Sequence, residues 1–183
     1  MPPKLFIIFG FSGVGKSTAA EIIAKKIKVK IFATDEIRRL REFKSRFVHY
    51  QKSGKFFPKN LRRQIYRRLL AGGKKELQKG NNVIFDATFS SPWMWQLVER
   101  LSEEIEIRII PIEIVLQKIS DEMITQRLIK RCRIDKFAAK PEIYWAYKNR
   151  YQSYAQKHFV VNNDGTKLEL KKQVLEILAE TLK

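Results

Sequence analysis

Residues 4–18 read KLFIIFGFSGVGKST, and this stretch decides the fold. Leu5–Phe9 is an unbroken apolar run without the in/out alternation of a half-exposed strand, as expected for a parallel strand covered on both faces. Gly10 to Ser17 then matches G-x-x-x-x-G-K-[ST] at every fixed position. Behind it, Ser17 through Lys26 reads as a helix, with Ala19, Ile22, Ile23 and Ile27 on one face. Glycines in such a turn let successive N–H groups converge on one anion, and the helix start adds its unpaired donors. Gly10, Ser12, Gly13, Val14, Gly15, Lys16, Ser17 and Thr18 are therefore expected to cradle the phosphates of a nucleotide. Lys16 would reach the β- and γ-phosphates, and Ser17 would help to hold Mg²⁺.

Working outward, four more apolar runs read as strands: Val29–Ala33, Asn82–Asp86, Ile107–Leu116 and His158–Asn162. Helical patterns separate them. Leu61, Ile65, Leu69 and Leu77 form one stripe, Met94, Leu97, Val98 and Leu101 another, and Val174, Ile177, Leu178 and Leu182 a third. Alternating strands and helices predict an open α/β parallel sheet in one domain spanning residues 1–183. Two segments break the rhythm: 36–79, expected to be an acceptor-binding insertion, and 127–140, expected to be a basic lid.

At 183 residues and 21.6 kDa the chain suits a single domain, and 44% hydrophobic residues exclude a disordered chain. One cysteine, Cys132, excludes an internal disulfide and a cysteine-built zinc site. Leu5–Phe9 is too short for a signal peptide core or a membrane span, so a reduced, cytoplasmic protein is expected. The net charge of +18 is lopsided: residues 25–79 hold 19 basic and four acidic residues. That excess suggests a polyanionic partner.

Carboxylates choose the chemistry. Asp86 ends the run Val83-Ile84-Phe85 and would point from a strand tip at the metal shell, as a Walker B acid does. Asp35 ends the second run and has two readings. It suits an N-cap before Glu36-Ile37-Arg38, and it suits a general base facing a hydroxyl in line with the γ-phosphate. Arg38, one turn along, would hold a substrate anion. Arg127 and Arg131, four residues apart, would close over the triphosphate, or else belong to a solvated basic face. Asp86-Ala87-Thr88-Phe89 lacks the glycine of D-x-x-G and no N-K-x-D occurs, which argues against a GTPase. An oligomeric AAA+ motor would need a further helical domain.

Phe89, Trp93, Trp95 and Phe56-Phe57 read either as core or as platforms for stacked bases. Tyr144, Tyr147 and Tyr151 are spaced for a core face. His49 and His158 lack ligand-spaced partners, and Cys132, although two flanking arginines could lower its pKa, reads first as an ordinary thiol.

Together, GFSGVGKST (10–18), TDEIRR (34–39), LQKGNNVIFDATF (77–89), ITQRLIKR (124–131) and FVVNNDG (159–165) resemble the P-loop kinases of the polynucleotide kinase-like and zeta-toxin-like group. The resemblance covers most of the chain. It implies a three-layer P-loop NTPase fold on a nucleoside monophosphate kinase-like core, with strand order 2-3-1-4-5. It implies ATP as donor with Mg²⁺, Asp35 as base, Arg38 on the acceptor's phosphate, Asp86 as the Walker B acid, and Arg127 and Arg131 as lid arginines. Thr88 belongs to the D-A-T piece and is expected at the acceptor, with Asn162–Thr166 beside adenine. Two departures, Pro92-Trp93-Met94-Trp95 and the mid-helix pair Gly72-Gly73, touch the acceptor side. The expected activity is γ-phosphoryl transfer to a hydroxyl, with the basic segment favouring a nucleic-acid 5′ end. The alternatives are a kinase for a sugar, nucleotide-sugar or antibiotic, and a nucleic-acid-binding ATPase switch.

Overall fold

Along strand β1 (Lys4–Phe9) the side chains alternate between two hydrophobic clusters. Leu5, Ile7 and Phe9 enter one and Phe6 and Ile8 the other, and all five are fully buried. A strand with no polar face is what a sheet sandwiched between helices requires, so the run without alternation is explained by its central place. The computed structural model describes residues 1–53, 57–135, 138 and 140–182.

Five parallel strands form the sheet in the order β2-β3-β1-β4-β5. They are β1, β2 (Lys30–Ala33), β3 (Val83–Asp86), β4 (Arg108–Val115) and β5 (Phe159–Asn162). Helices α1 (Lys16–Ile27) and α8 (Lys167–Thr181) cover one face through Ala19, Ala20, Ile23, Leu170, Val174 and Leu178. The other face carries α2 (Thr34–Arg39), α3 (Arg41–Ser53), α4 (Lys59–Leu77) and α5 (Pro92–Glu104). Helices α6 (Asp121–Ile134) and α7 (Pro141–Lys148) form a smaller cluster of Ile124, Leu128 and Tyr144 against Phe11. Residues Ile8 and Ala33 both pair with Asp86, so the carboxyl ends of β1, β2 and β3 reach one level.

Segment 36–79 joins β2 to β3 and is built into the core. Helix α4 is the crossover from β2 to β3, and its Leu61, Ile65, Leu69 and Leu77 pack with Phe43 and Phe47 of α3 in the larger cluster. Gly72 and Gly73 do not interrupt α4. A Cβ at Gly73 would collide with the Phe85 ring and one at Gly72 with Phe32, so the pair lets the helix lie close on β2 and β3.

Candidate active site

Three glycines with positive φ, Gly10 (129°), Gly13 (85°) and Gly15 (100°), shape the loop between β1 and α1. Side chains at these positions would also be blocked: Gly10 faces the Ile114 carbonyl and Gly15 the Asn163 amide. Asn163 in turn donates from Nδ2 to the Val14 carbonyl at 2.8 Å, tying the loop after β5 to the cradle. Asp164 accepts from the N–H groups of Gln117 and Lys118, each with an oxygen 3.0–3.1 Å away.

A cavity of about 360 Å³ opens at this end of the sheet. Ser12, Gly13, Gly15, Lys16, Ser17 and Thr18 line it, whereas Gly10 lies at the strand end and Val14 is buried. Lys16 folds over the loop and donates to the Phe11 carbonyl at 2.7 Å. Burial holds its ammonium below the usual lysine range, although Asp86 and Asp35 pull the other way. Ser17 donates from Oγ to Asp86 Oδ2 at 2.7 Å. Burial raises the Asp86 carboxyl, with Lys16 and the Ser17 hydrogen bond opposing. Hydroxyl and carboxylate side by side are hard oxygen donors, and Mg²⁺ is usually held by one or two protein oxygens with waters and phosphates. Among the described residues no group of three or more His, Cys, Asp or Glu could hold a metal.

Asp35 does not cap α2, because the N-cap position falls on Ala33 and Asp35 lies in the first turn. Its carboxylate faces the cavity and is held at both oxygens. Arg38 Nη1 lies 2.6 Å from Oδ1, and Arg131 Nη2 lies 2.9 Å from Oδ2. Burial disfavours its charge, but Arg38, Arg131 and Lys16 together outweigh that and keep it below the usual carboxylate range. Arg38, Thr88 and Arg127 line the same cavity. Arg133 is exposed and does not.

Beyond Asp35 the cavity wall is aromatic. Phe47 and Phe57 stack at 4.9 Å, and the Arg38 guanidinium lies 5.5 and 5.7 Å from their ring centres. Arg62, Ile65, Tyr66, Ser90 and Met94 complete this end. Arg62 and Ser90 were not singled out from sequence. Arg62 is one of many arginines in its segment, and no spacing distinguishes it.

Between Thr88 and Ser90, Phe89 takes a left-handed conformation (φ 46°). Its N–H donates to Tyr66 Oη and its carbonyl accepts from Trp95 Nε1, both at 3.1 Å. Of the two readings of Phe89 and Trp95, core holds and base stacking does not: they are 0% and 4% exposed, and Trp95 already stacks on Tyr154. Trp93 is half-buried against Tyr66. Phe56, Lys136 and the Tyr147 side chain lie outside the described residues.

Phe11 lies between two of the predicted tyrosines, its ring centre 4.8 Å from Tyr144 and 5.5 Å from Tyr151. Tyr151 and Ser153 each donate to the buried Glu113 at 2.7 Å, with His158 Nε2 at 3.1 Å. The signal for Glu113 was a lone acid inside an apolar run. Cys132 fits the ordinary-thiol reading, since burial raises its thiol despite nearby cations. No helix among the described residues is long and apolar enough to cross a membrane.

The profile of the family described as AAA domain matches residues 5–153. Among solved structures, a sugar kinase from Janibacter sp. superposes with a TM-score of 0.73 at 15% identity, covering 97% of this chain and 95% of that one. A gluconokinase from Sinorhizobium meliloti gives 0.68 at 14%, covering 98% and 94%. The APS kinase CysC of Mycobacterium tuberculosis, solved with AMPPNP and APS, gives 0.67 at 17%, covering 97% and 98%. At these identities the likeness establishes the fold. No curated protein sequence matches.

Proposed function

We propose, for a chain that belongs to the AAA-domain family, an ATP-dependent kinase that transfers the γ-phosphoryl group to a hydroxyl of a small molecule. The observation that carries this reading is a carboxylate, Asp35, in one cavity with the loop lysine, the Ser17–Asp86 pair and two lid-side arginines. A nucleotide-binding switch has no need of that carboxylate. The aromatic wall of Phe47, Phe57 and Tyr66 supports a compact acceptor, and the cavity volume is in the range of small-molecule sites. The structural neighbours described as sugar, gluconate and APS kinases agree with that class.

In this mechanism the loop amides and Lys16 grip the β- and γ-phosphates of ATP. Ser17 and Asp86 would hold Mg²⁺, which supplies charge neutralisation when bound. The acceptor oxygen attacks the γ-phosphorus, the bond to the β-γ bridging oxygen breaks, and ADP leaves. The acceptor's proton passes to Asp35. A carboxylate held below its usual range is a weak base, which suits a loose transition state where the proton departs late. Arg127 and Arg131 neutralise the equatorial oxygens, and Thr88 and Arg38 orient the acceptor.

A second reading, transfer to a nucleic-acid 5′ hydroxyl, is favoured by the charge of segment 25–79. Labelled ATP separates the two. Incubation with γ-³²P-ATP, a pool of sugars and sugar acids, and a 5′-hydroxyl oligonucleotide should leave label on a small molecule. Label on the oligonucleotide supports the second reading, and label only in free phosphate overturns both.

A further inference from the structure

Among the described residues of segment 25–79, Arg38 and Arg62 line the cavity and most of the other basic side chains are exposed outside it. On α4 the exposed residues are Lys59, Asn60, Arg63, Gln64, Arg67, Arg68, Ala71 and Lys75, without one carboxylate among them. Lys59, Arg63 and Arg67 succeed one another at four-residue intervals, so they form a row with steps of about 6 Å. Among the described residues Lys59, Arg67 and Lys75 have no ion-pair partner, and Arg63 rests over the Trp93 ring at 6.0 Å. Arg62, Ile65 and Tyr66, which wall the cavity, occupy the inner side of the same helix.

This arrangement works against the helix that carries it. Like charges four residues apart repel, and an N-terminal first turn with a lysine and no acid opposes the helix dipole. An exposed helix face with oppositely charged residues four apart would gain stability where this one loses it. Nor does the face suit a membrane surface, because the apolar side of α4 is spent in the core through Leu61, Ile65, Leu69 and Leu77. A row of cations with arginine forks, backed by a guanidinium laid on an indole, fits phosphodiester groups. Some 12 Å of row spans about three to four phosphates of one strand.

We propose that the outer face of α4 docks the sugar-phosphate backbone of a nucleic acid, as a polymer-binding surface separate from the phosphoryl-transfer cavity. The polymer is held there and is not the acceptor. The proposal does not depend on which hydroxyl compound is phosphorylated.

The test is fluorescence anisotropy of the full chain with labelled 20-base-pair duplexes of DNA and of RNA, all 5′-phosphorylated so that no 5′-hydroxyl acceptor is offered. Affinity is measured from 50 to 300 mM KCl, for the wild type and for a Lys59→Gln/Arg63→Gln/Arg67→Gln variant whose fold is checked by its thermal melt. The wild type should bind with a log K against log [KCl] slope of about −3, and the variant should lose about tenfold in affinity at 50 mM and flatten the slope by two or more. The better of the two duplexes identifies which polymer is preferred. No binding at 50 mM KCl, an unchanged slope in the variant, displacement by saturating Mg-ATP, or tighter binding to phosphatidylserine vesicles than to either duplex would each overturn the proposal. A parallel single change, Lys75→Gln, gives a smaller loss if folding of the triple variant is impaired, and no loss counts against the proposal.

Discussion

Asp35 carries opposing influences that can be measured singly. Its carboxylate is 29% exposed, and the guanidiniums of Arg38 and Arg131 each take one oxygen. Burial alone would raise its pKa, yet the surrounding cations lower it. Because the folded value is below the unfolded one, ionised Asp35 contributes stability that is complete above the ordinary carboxylate range and is lost as pH falls through the lowered value. Replacing Arg131 by Gln removes one of the two close cations, so the Asp35 midpoint should move up. Asp86 should move less, since Arg131 is the weakest of its named influences. Carboxyl ¹³C shifts followed through an acid titration give both midpoints. Equal movement of the two, or none at Asp35, would mean that the ion pair does not set its charge.

At the scale of elements, two contacts decide how the cavity walls are held. Phe89 pays for a left-handed backbone of roughly 1–2 kcal/mol, and Tyr66 and Trp95 hold it there by hydrogen bonds and ring contacts. Tyr66→Phe keeps the ring and removes the acceptor, leaving the Phe89 N–H buried without its partner at a cost of about 1–3 kcal/mol. Thr88 and Ser90 flank Phe89, so the change should raise the acceptor KM severalfold while the ATP Kd stays within twofold, because the phosphate loop is untouched. Steady-state kinetics with isothermal titration of an ATP analogue read both. On α4, Gly73→Ala sets a helix-propensity gain of about 1 kcal/mol against overpacking on Phe85 of about 1–3 kcal/mol. The buried Phe85 ring cannot yield easily, so urea unfolding should show a net loss of about 1 kcal/mol. Gly72→Ala meets the half-buried Phe32 of the edge strand and should be close to neutral. The same two glycines mark the boundary of what sequence conveyed. The strand–loop–helix at 4–27 and all five strands could be read within a residue or so, because a motif and periodicity are local signals. The close approach of α4 to β2 and β3 and the Tyr66 hydroxyl beneath Phe89 join residues distant in the chain. Phe57, Phe89 and Trp95 stand out in the sequence as aromatics, but the partners that fix them as a wall and a lock are set by the fold and not by their spacing.

For the molecule as a whole, charge sets the largest long-range influence on stability. A net +18 on 183 residues repels itself, and that repulsion reaches well beyond contact distance at low ionic strength. Opposing it are ion pairs that sit near the surface: Lys30–Glu76 has a lysine 68% exposed, and Arg68–Glu42 is 55% exposed on both sides. Exposed pairs of this kind contribute about 0–1 kcal/mol each and are themselves weakened by salt. Both effects shrink together as salt is added, so the sign of the change tells which is larger. The acid-free outer face of α4 and the small yield of surface pairs put self-repulsion ahead. Raising NaCl from about 20 to 200 mM, which shortens the screening length from roughly 20 to 7 Å, should therefore raise Tm by a few degrees. The Lys59→Gln/Arg63→Gln/Arg67→Gln variant, with three fewer positive charges, should start at a higher Tm in low salt and gain less from NaCl. A Tm that falls with NaCl in the wild type would show that the surface pairs dominate, and a variant no more stable than the wild type at low salt would show that the α4 row is not where the repulsion concentrates.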